Sequence, residues 1–165
     1  MRYRIYNSPM PTTAAMVAVT TGTAIKTLLQ LKPFNAGKIV AWGISFDGSA
    51  AATPIKCELI ETGTVFATVT ASADVDIYKL EGSDQAVASV AGLTLGTAAT
   101  GYTASAEGTI TATKSFDTEF VAPTNQYIYQ FPLGQEPRVL AASCYRIRVT
   151  AGAAVNAICW IEVDL

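Results

Sequence analysis

Apolar and polar residues alternate along several stretches of the chain, a period of two that is typical of β-strands with one buried face. The stretch 38–46 shows this alternation well, because small residues separate the large apolar ones. Its predicted core face consists of Val40, Trp42, Ile44 and Phe46. Pro54 is expected to begin the next strand, after a turn at Asp47-Gly48 and a connector of small residues.

The same alternation occurs around Cys57 and twice near the end of the sequence. The predicted core faces are Ile55, Cys57 and Leu59; Tyr145, Ile147 and Val149; and Val155, Ala157, Cys159, Ile161 and Val163. Further predicted strands are 3–6, 25–31, 65–70, 109–116 and 127–131. Residues 74–80 fit one short helical turn, and 86–90 fit either helix or strand. The pattern predicts an all-β fold, a two-sheet antiparallel sandwich that is jelly-roll-like and has at most one short helix.

No linker is long or polar enough to divide the chain, so residues 1–165 are predicted to form a single β-sandwich domain. Two segments stand apart: an N-terminal arm at 1–8, and a long uncharged loop or arm at about 83–106. The candidate interface residues are Arg2, Tyr3, Arg4, Ile5 and Tyr6. Arginine and tyrosine are common interface anchors, and a terminal strand can add to a neighbour's sheet. The alternative is an ordinary first edge strand of the chain's own sheet.

Charged residues make up 15% of the sequence and apolar residues 50%. Because globular proteins have about 25% charged residues, this composition favours a surface that partners cover. A small Thr-rich β domain that is soluble on its own fits equally well. The net charge of −2 argues against nucleic acid as a partner. The pairs Arg2/Arg4 and Arg146/Arg148 are expected on solvated or salt-bridged strand faces, with an acidic partner surface as the alternative.

No membrane partner is expected. The uncharged stretch 85–106 is rich in Gly, Thr and Ser, and the apolar run near the start is interrupted by Pro9, Pro11 and several threonines. The three cysteines are far apart in the sequence and odd in number. They indicate buried thiols in a reduced compartment, although one disulfide stays open as an alternative.

The chain has no histidine, which removes the commonest general base and the commonest metal ligand. Glu58 and Glu61 would face opposite sides of a strand and so could not act as a catalytic pair. Asp74 and Asp76 lack the remaining ligands of a calcium loop, and these two aspartates are interpreted as solvated turn carboxylates. The sequence therefore predicts no enzyme, no catalytic residues, no cofactor and no metal site. The aromatic row Tyr127, Tyr129 and Phe131 is interpreted as core, with a sugar-binding face as the alternative.

Several of these stretches resemble a group of small structural proteins of tailed bacteriophages, the jelly-roll head auxiliary or decoration proteins. The similarity spans roughly residues 25 to 165, apart from 74–104, where nothing aligns. It rests on KIVAWGISFDG, PIKCELIETGT, AEGT, YIYQFPLGQEPRVLAA and YRIRVTAGAAVNAICWIEVDL. The signature residues are Trp42, Gly43, Phe46, Asp47, Gly48, Phe131, Pro132, Leu133 and Gly134.

This resemblance implies a non-enzymatic virion protein, synthesised in the bacterial host cytoplasm and placed on the capsid exterior. Its partners would be other copies of itself, with a trimer expected, and the major capsid protein whose shell it stabilises. Two alternatives remain open: a phage tail or head–tail connector component, and a carbohydrate- or host-binding β-sandwich module.

Overall fold

The structure is a computed structural model in which residues 1–49, 53–81 and 92–165 are described. The described residues form thirteen β-strands and one short 3-10 helix at Asp74–Asp76. The strands are β1 Arg2–Tyr6, β2 Val19–Thr20, β3 Ile25–Leu31, β4 Gly37–Phe46, β5 Ile55–Glu61, β6 Thr68–Ala71, β7 Ile77–Lys79, β8 Gly101–Ala106, β9 Lys114–Val121, β10 Gln126–Gln130, β11 Arg138–Val139, β12 Tyr145–Thr150 and β13 Asn156–Asp164.

The strands form two sheets that pack face to face as a sandwich. Sheet A has the order β10-β4-β13-β1-β7, with β11 also paired to β4 and β2 to β13. Sheet B has the order β6-β8-β3-β12-β5-β9. Every pairing between these strands is antiparallel. The expected all-β, two-sheet antiparallel sandwich is therefore confirmed.

The core lies between the two sheets and is built from every second residue of the long strands. The predicted faces of β5, β12 and β13 are confirmed, because their apolar members belong to the buried cluster. Across this core, Trp42 and Ile44 of sheet A accompany Ile147 and Val149 of sheet B, all nearly inaccessible to solvent. Burial of such alternating faces is the main favourable contribution to folding in a sandwich.

One predicted core residue of β4 is misplaced. The pairing of β4 with β13 shifts by one residue, so that Glu162 opposes Ala41 while Val163 opposes Ile39. The unpaired residue, Val40, forms a β-bulge, and a bulge reverses the side-chain alternation beyond it. Ile39 rather than Val40 therefore joins the central cluster, although Val40 is also buried.

Other boundaries differ from the sequence prediction in smaller ways. The strand expected at 109–116 lies at Lys114–Val121, because the segment before Lys114 is irregular. The helical turn expected within 74–80 is limited to Asp74–Asp76 and leads directly into β7. Residues 82–91, which hold the 86–90 prediction and the first part of the 83–106 segment, lie outside the described residues. The last part of that segment is β8, paired with β3 and β6.

The N-terminal segment is an inner strand of sheet A. β1 pairs with β13 on one side and with β7 on the other. Tyr3 and Ile5 are buried in the core, whereas Arg2, Arg4 and Tyr6 occupy the opposite face. In this fold Tyr3 and Ile5 are unavailable to a partner. The role of 1–8 as a docking arm stays a prediction, now limited to the other three side chains.

A buried polar cluster fastens the loops above sheet B to its strands. Arg146 is 0% exposed and donates hydrogen bonds to the carbonyl oxygens of Glu107 and Val65, and it forms an ion pair with the Glu107 carboxylate at 3.2 Å. The same carboxylate accepts bonds from the backbone N–H and hydroxyl of Thr27. Beside it, the Gln30 amide bonds to the backbone of Ala67 and Ala99. These contacts tie three loops to β3 and β12.

The two arginines of β12 are expected to contribute unequally to stability. Replacement of Arg146 by Ala leaves Glu107 without its cation and should lower the free energy of unfolding by about 3–5 kcal/mol. In the matched variant Arg148→Ala, Glu58 retains its ion pair with Lys56, so the loss should be about 1 kcal/mol. Urea unfolding monitored by tryptophan fluorescence measures both values. Equal losses would contradict the structural role assigned to Arg146.

Candidate interaction surface

The carboxylates considered for chemistry are engaged in structural contacts. Glu58 lies on the face of β5 away from the core, as expected, but it is buried rather than solvated, at 2.7 Å from Lys56 and 3.1 Å from Arg148. Burial opposes its ionisation, but these two cations outweigh that effect and lower the pKa of Glu58. Glu61 accepts a bond from the Tyr145 hydroxyl. An ion-paired carboxylate of this kind is poorly suited to acid–base catalysis at neutral pH.

The interpretation of Asp74 and Asp76 as solvated turn carboxylates is half wrong. Asp74 is exposed, but Asp76 is buried and accepts hydrogen bonds from the backbone N–H groups of Met10 and Ala73. Its carboxylate thereby connects the segment after β1 with the short helix. Among the described residues, no group of three or more His, Cys, Asp and Glu is placed to hold a metal ion.

The three cysteines are free thiols, and all three are buried. Burial raises the pKa of Cys57 to about 12 and also raises the pKa values of Cys144 and Cys159. A thiol that burial keeps protonated is a poor nucleophile. The expectation of buried thiols is confirmed, and the alternative of a disulfide is not found.

The outer face of sheet A carries a broad neutral surface. On β4 and β10, and on the adjacent half of β13, the residues that point away from the core are small, amide-bearing or apolar. We call this set the neutral face; its members are Ala41, Gly43, Ser45, Gln126, Ile128, Gln130, Ile158 and Trp160. Ile128 is 58% exposed, and Ser45, Ile158 and Trp160 are partly exposed. Uncharged surface of this kind is depleted of the residues that keep a free face hydrated.

The centre of the neutral face contains one close contact. Gly43 lies directly opposite Trp160, and a Cβ atom at Gly43 would stand 2.8 Å from the indole ring. The Arg4 guanidinium lies 4.4 Å from the centroid of the same indole and bonds to Glu162 at 2.8 Å. Glycine is therefore required here so that the tryptophan can lie across the strand. The stack of Gly43, Trp160 and Arg4 fixes the indole in place.

An aromatic group closes the side of the sandwich where β9 and β10 meet. One oxygen of Asp117 accepts bonds from the Trp42 indole N–H at 3.0 Å and the Tyr127 hydroxyl at 2.9 Å. Burial, followed by this bond, raises the pKa of Tyr127 above its usual range. The core interpretation of the aromatic row holds in part, because Phe131 is buried and Tyr127 half-buried, whereas Tyr129 is exposed.

The signature residues of the phage resemblance divide between this core and the adjoining turns. Trp42 and Phe131 are buried, and Phe46 packs against the core. The Asp47 carboxylate bonds to Asn156 on β13, and a Cβ at Gly48 would stand 2.6 Å from Val155, so this turn is fixed by packing across strands. Gly43 belongs to the neutral face, and the last three signature residues, Pro132, Leu133 and Gly134, form an exposed turn in which Gly134 has a φ of +87°.

The structure brings the candidate interface residues Arg4 and Tyr6 next to Trp160, at the border of the neutral face. It does not bring Tyr3 and Ile5 there. Sequence reasoning missed Ile128, Ile158 and Trp160 as surface residues. The run of small residues at alternate positions of β4 indicates that large side chains of neighbouring strands could lie across it. The sequence does not reveal that these neighbours are β13 and β10.

Comparisons with protein-family models, with curated proteins and with solved structures found no match. Within the part of the chain that the structure describes, no helix is long and apolar enough to span a membrane.

Substitution of Gly43 tests the packing of the neutral face. Gly43→Ala forces the added methyl against the indole of Trp160 and should lower the free energy of unfolding by about 1–3 kcal/mol. The control Gly152→Ala, at a glycine with open space around it, should change it by less than about 0.5 kcal/mol. The measurement is urea unfolding. A neutral Gly43→Ala would show that the indole does not occupy this position.

The thiols are expected to be unreactive in the folded protein. DTNB at pH 8 should label the native chain only as fast as it unfolds, and all three cysteines once urea is added. Because folding raises the thiol pKa values, the thiols favour the folded state below the ordinary pKa of about 8.5 and lose this contribution as the pH rises above it. Rapid labelling of the native protein would contradict the burial of these residues.

Proposed function

We propose that the chain is a non-enzymatic structural protein of a virion, a capsid decoration or cement protein. It binds the shell of the major capsid protein from outside and stabilises that shell as a homo-oligomer. The observation that carries the proposal is the neutral face, a patch of uncharged residues of sheet A that includes the exposed Ile128 and the partly exposed Ile158 and Trp160. The resemblance to phage head proteins supplies the identity of the partner.

The physical properties of the neutral face suit permanent attachment to a protein shell. A face built on paired strands needs little ordering when it binds, so little conformational entropy is lost. Its residues lack the charges whose desolvation would oppose a dry contact. The cations alongside it, Arg2 and Arg4, lie against the carboxylate of Glu162. Attachment through this face therefore leaves few uncompensated charges.

The carbohydrate-binding alternative receives less support from the same face. A sugar ring stacks on an open aromatic surface, but Trp160 already carries Arg4 on its ring and covers Gly43. We therefore retain the shell as the partner.

The location of the protein in purified virus particles tests the proposal directly. Electron microscopy combined with quantitative mass spectrometry should find it on the outside of the head, in a copy number comparable with that of the major capsid protein. A single small ring of copies at the neck or tail would favour the connector alternative and overturn the decoration proposal. Absence from particles would overturn both.

A variant of the neutral face tests which surface contacts the shell. Ser45→Arg places a cation on the central strand of the face, between Gln126 and Ile158, and should weaken binding to emptied shells by about tenfold or more, since about 1.4 kcal/mol is sufficient for that change. Thr118→Arg, at an exposed position of β9, is the matched control and should bind as the unmodified chain does. Co-sedimentation with shells measures both. Equal binding of the two variants would assign the contact to another surface.

A further inference from the structure

Apart from the two-residue strands β2 and β11, the two sheets end in four outermost strands, and three of these are unsuited to pairing with another chain. β7 has only three residues. β6 is interrupted by a register shift, and its Val69 N–H already bonds to the carbonyl of Thr97. β9 contains a register shift opposite Leu59 and carries Lys114, Asp117 and Glu119. Short length, irregularity and charge are the usual protections of a sheet edge.

The fourth outermost strand, β10, has none of these protections. It consists of five residues, Gln-Tyr-Ile-Tyr-Gln, without charge or proline. Its register against β4 is unbroken from Gln126 to Gln130. An uncharged, regular edge strand is a template for a further strand.

The backbone N–H and C=O groups of β10 that do not bond to β4 can be identified from the hydrogen bonds of the residues just before and just after the strand. The Asn125 carbonyl accepts from Phe46 N–H, and the Phe131 N–H donates to the Val40 carbonyl, both toward β4. Antiparallel pairing alternates, so the groups of Tyr127 and Tyr129 also face β4. Those of Gln126, Ile128 and Gln130 face away from the sheet. No described residue bonds to them.

The sequence of β10 reads the same in both directions. When a second β10 is laid antiparallel on the first around a two-fold axis at Ile128, glutamine opposes glutamine, tyrosine opposes tyrosine and isoleucine opposes isoleucine. The residues whose backbone groups point away from β4 then lie opposite each other: Ile128 opposes Ile128 of the second copy, and Gln126 opposes Gln130. Each such opposed pair exchanges two hydrogen bonds. We propose that two copies of this chain join along β10 in this register, which merges their A sheets into one continuous sheet.

The side chains also match around this axis. The two Ile128 side chains lie together on the outer face, next to Gly43 and the Trp160 indole of each copy. A continuous apolar row therefore crosses the contact. On the inner face, Tyr127 of one copy opposes Tyr129 of the other at a closely spaced position, where cross-strand aromatic pairs are favourable.

The distribution of charged residues favours self-association through β10 over self-association through β9. A second β9 laid antiparallel around Thr118 would bring Asp117 against Glu119, and like charges in opposed positions are destabilising. Five neutral residues bring no such repulsion into a contact between identical strands. The contact is isologous and closes at two copies, in contrast to the expected trimer. The β10 contact rests on the proposed function in one respect, since it defines the homo-oligomer that would bind the capsid. Its test needs only the purified chain and no virus particles.

Sedimentation equilibrium of the full chain, with three variants, tests the contact. The unmodified chain should form concentration-dependent dimers. Ile128→Lys places two cations at the axis, and Ile128→Pro removes an N–H that β4 does not use, so each should weaken dimerisation by about tenfold or more. The matched control Phe120→Lys alters a 71% exposed residue on β9 and should leave the dimer unchanged. Unfolding midpoints close to that of the unmodified chain confirm that the variants are folded.

Engineered cysteines test the register. Opposed residues in a hydrogen-bonded antiparallel pair have Cα atoms about 5.5 Å apart, within the range of a disulfide. Ile128→Cys should therefore form a cross-linked dimer under mild oxidation, whereas the native thiols, all buried, should not. Gln126→Cys alone should not cross-link, but a mixture of Gln126→Cys with Gln130→Cys should.

The outcomes separate this inference from the proposed function. A chain that stays monomeric at all concentrations, or a dimer that Ile128→Lys leaves intact, would overturn the β10 contact even if the protein is found on capsids. Cross-linking of Gln126→Cys with itself would overturn the register. A dimer with the expected cross-links would support the contact even if no capsid carries the protein.

Discussion

The pairing of β4 with β13 is the constraint on which the rest of this structure depends. These two strands form the centre of sheet A, and their alternate residues face in opposite directions. Inward, Trp42, Ile44 and Cys159 contribute to the core. Outward, Gly43 and Trp160 form the close contact at the centre of the neutral face. A slip of one residue would exchange the two sets, so one register fixes both the stability of the sandwich and the character of its surface.

Much of the fold follows from the sequence because a period of two survives in the long strands. The core residues of β5, β12 and β13 are predicted correctly, since each strand buries one face along its whole length. The error at Val40 arises from a bulge, which local alternation does not reveal. The strand expected at 109–116 begins only at Lys114, because a Thr-rich segment has strand propensity whether or not it finds a partner.

The surface was harder to predict, because it depends on which strands become neighbours. Arg146 and Arg148 look equivalent in the sequence, yet loops cover Arg146 completely. The sequence predicts Asp76 to be a solvated turn residue, but its carboxylate accepts a hydrogen bond from the backbone N–H of Met10, which lies far away along the chain. Trp160 gains its position on the neutral face only because Gly43 lies opposite. Each case depends on a residue far away along the chain, and sequence patterns report only on near neighbours.

The carboxylate of Asp117 has a consequence for the growth of assemblies. It turns inward from the outermost strand of sheet B to bond with Trp42 and Tyr127, and this keeps a charge in a strand that would otherwise be an attractive template. A molecule with two adhesive edges adds further copies without limit and forms fibres. With β9 protected in this way, the proposed contact through β10 leaves the described part of the sandwich one edge for strand addition. If copies join through β10 as proposed, the carboxylate that closes the core also limits the assembly to two copies.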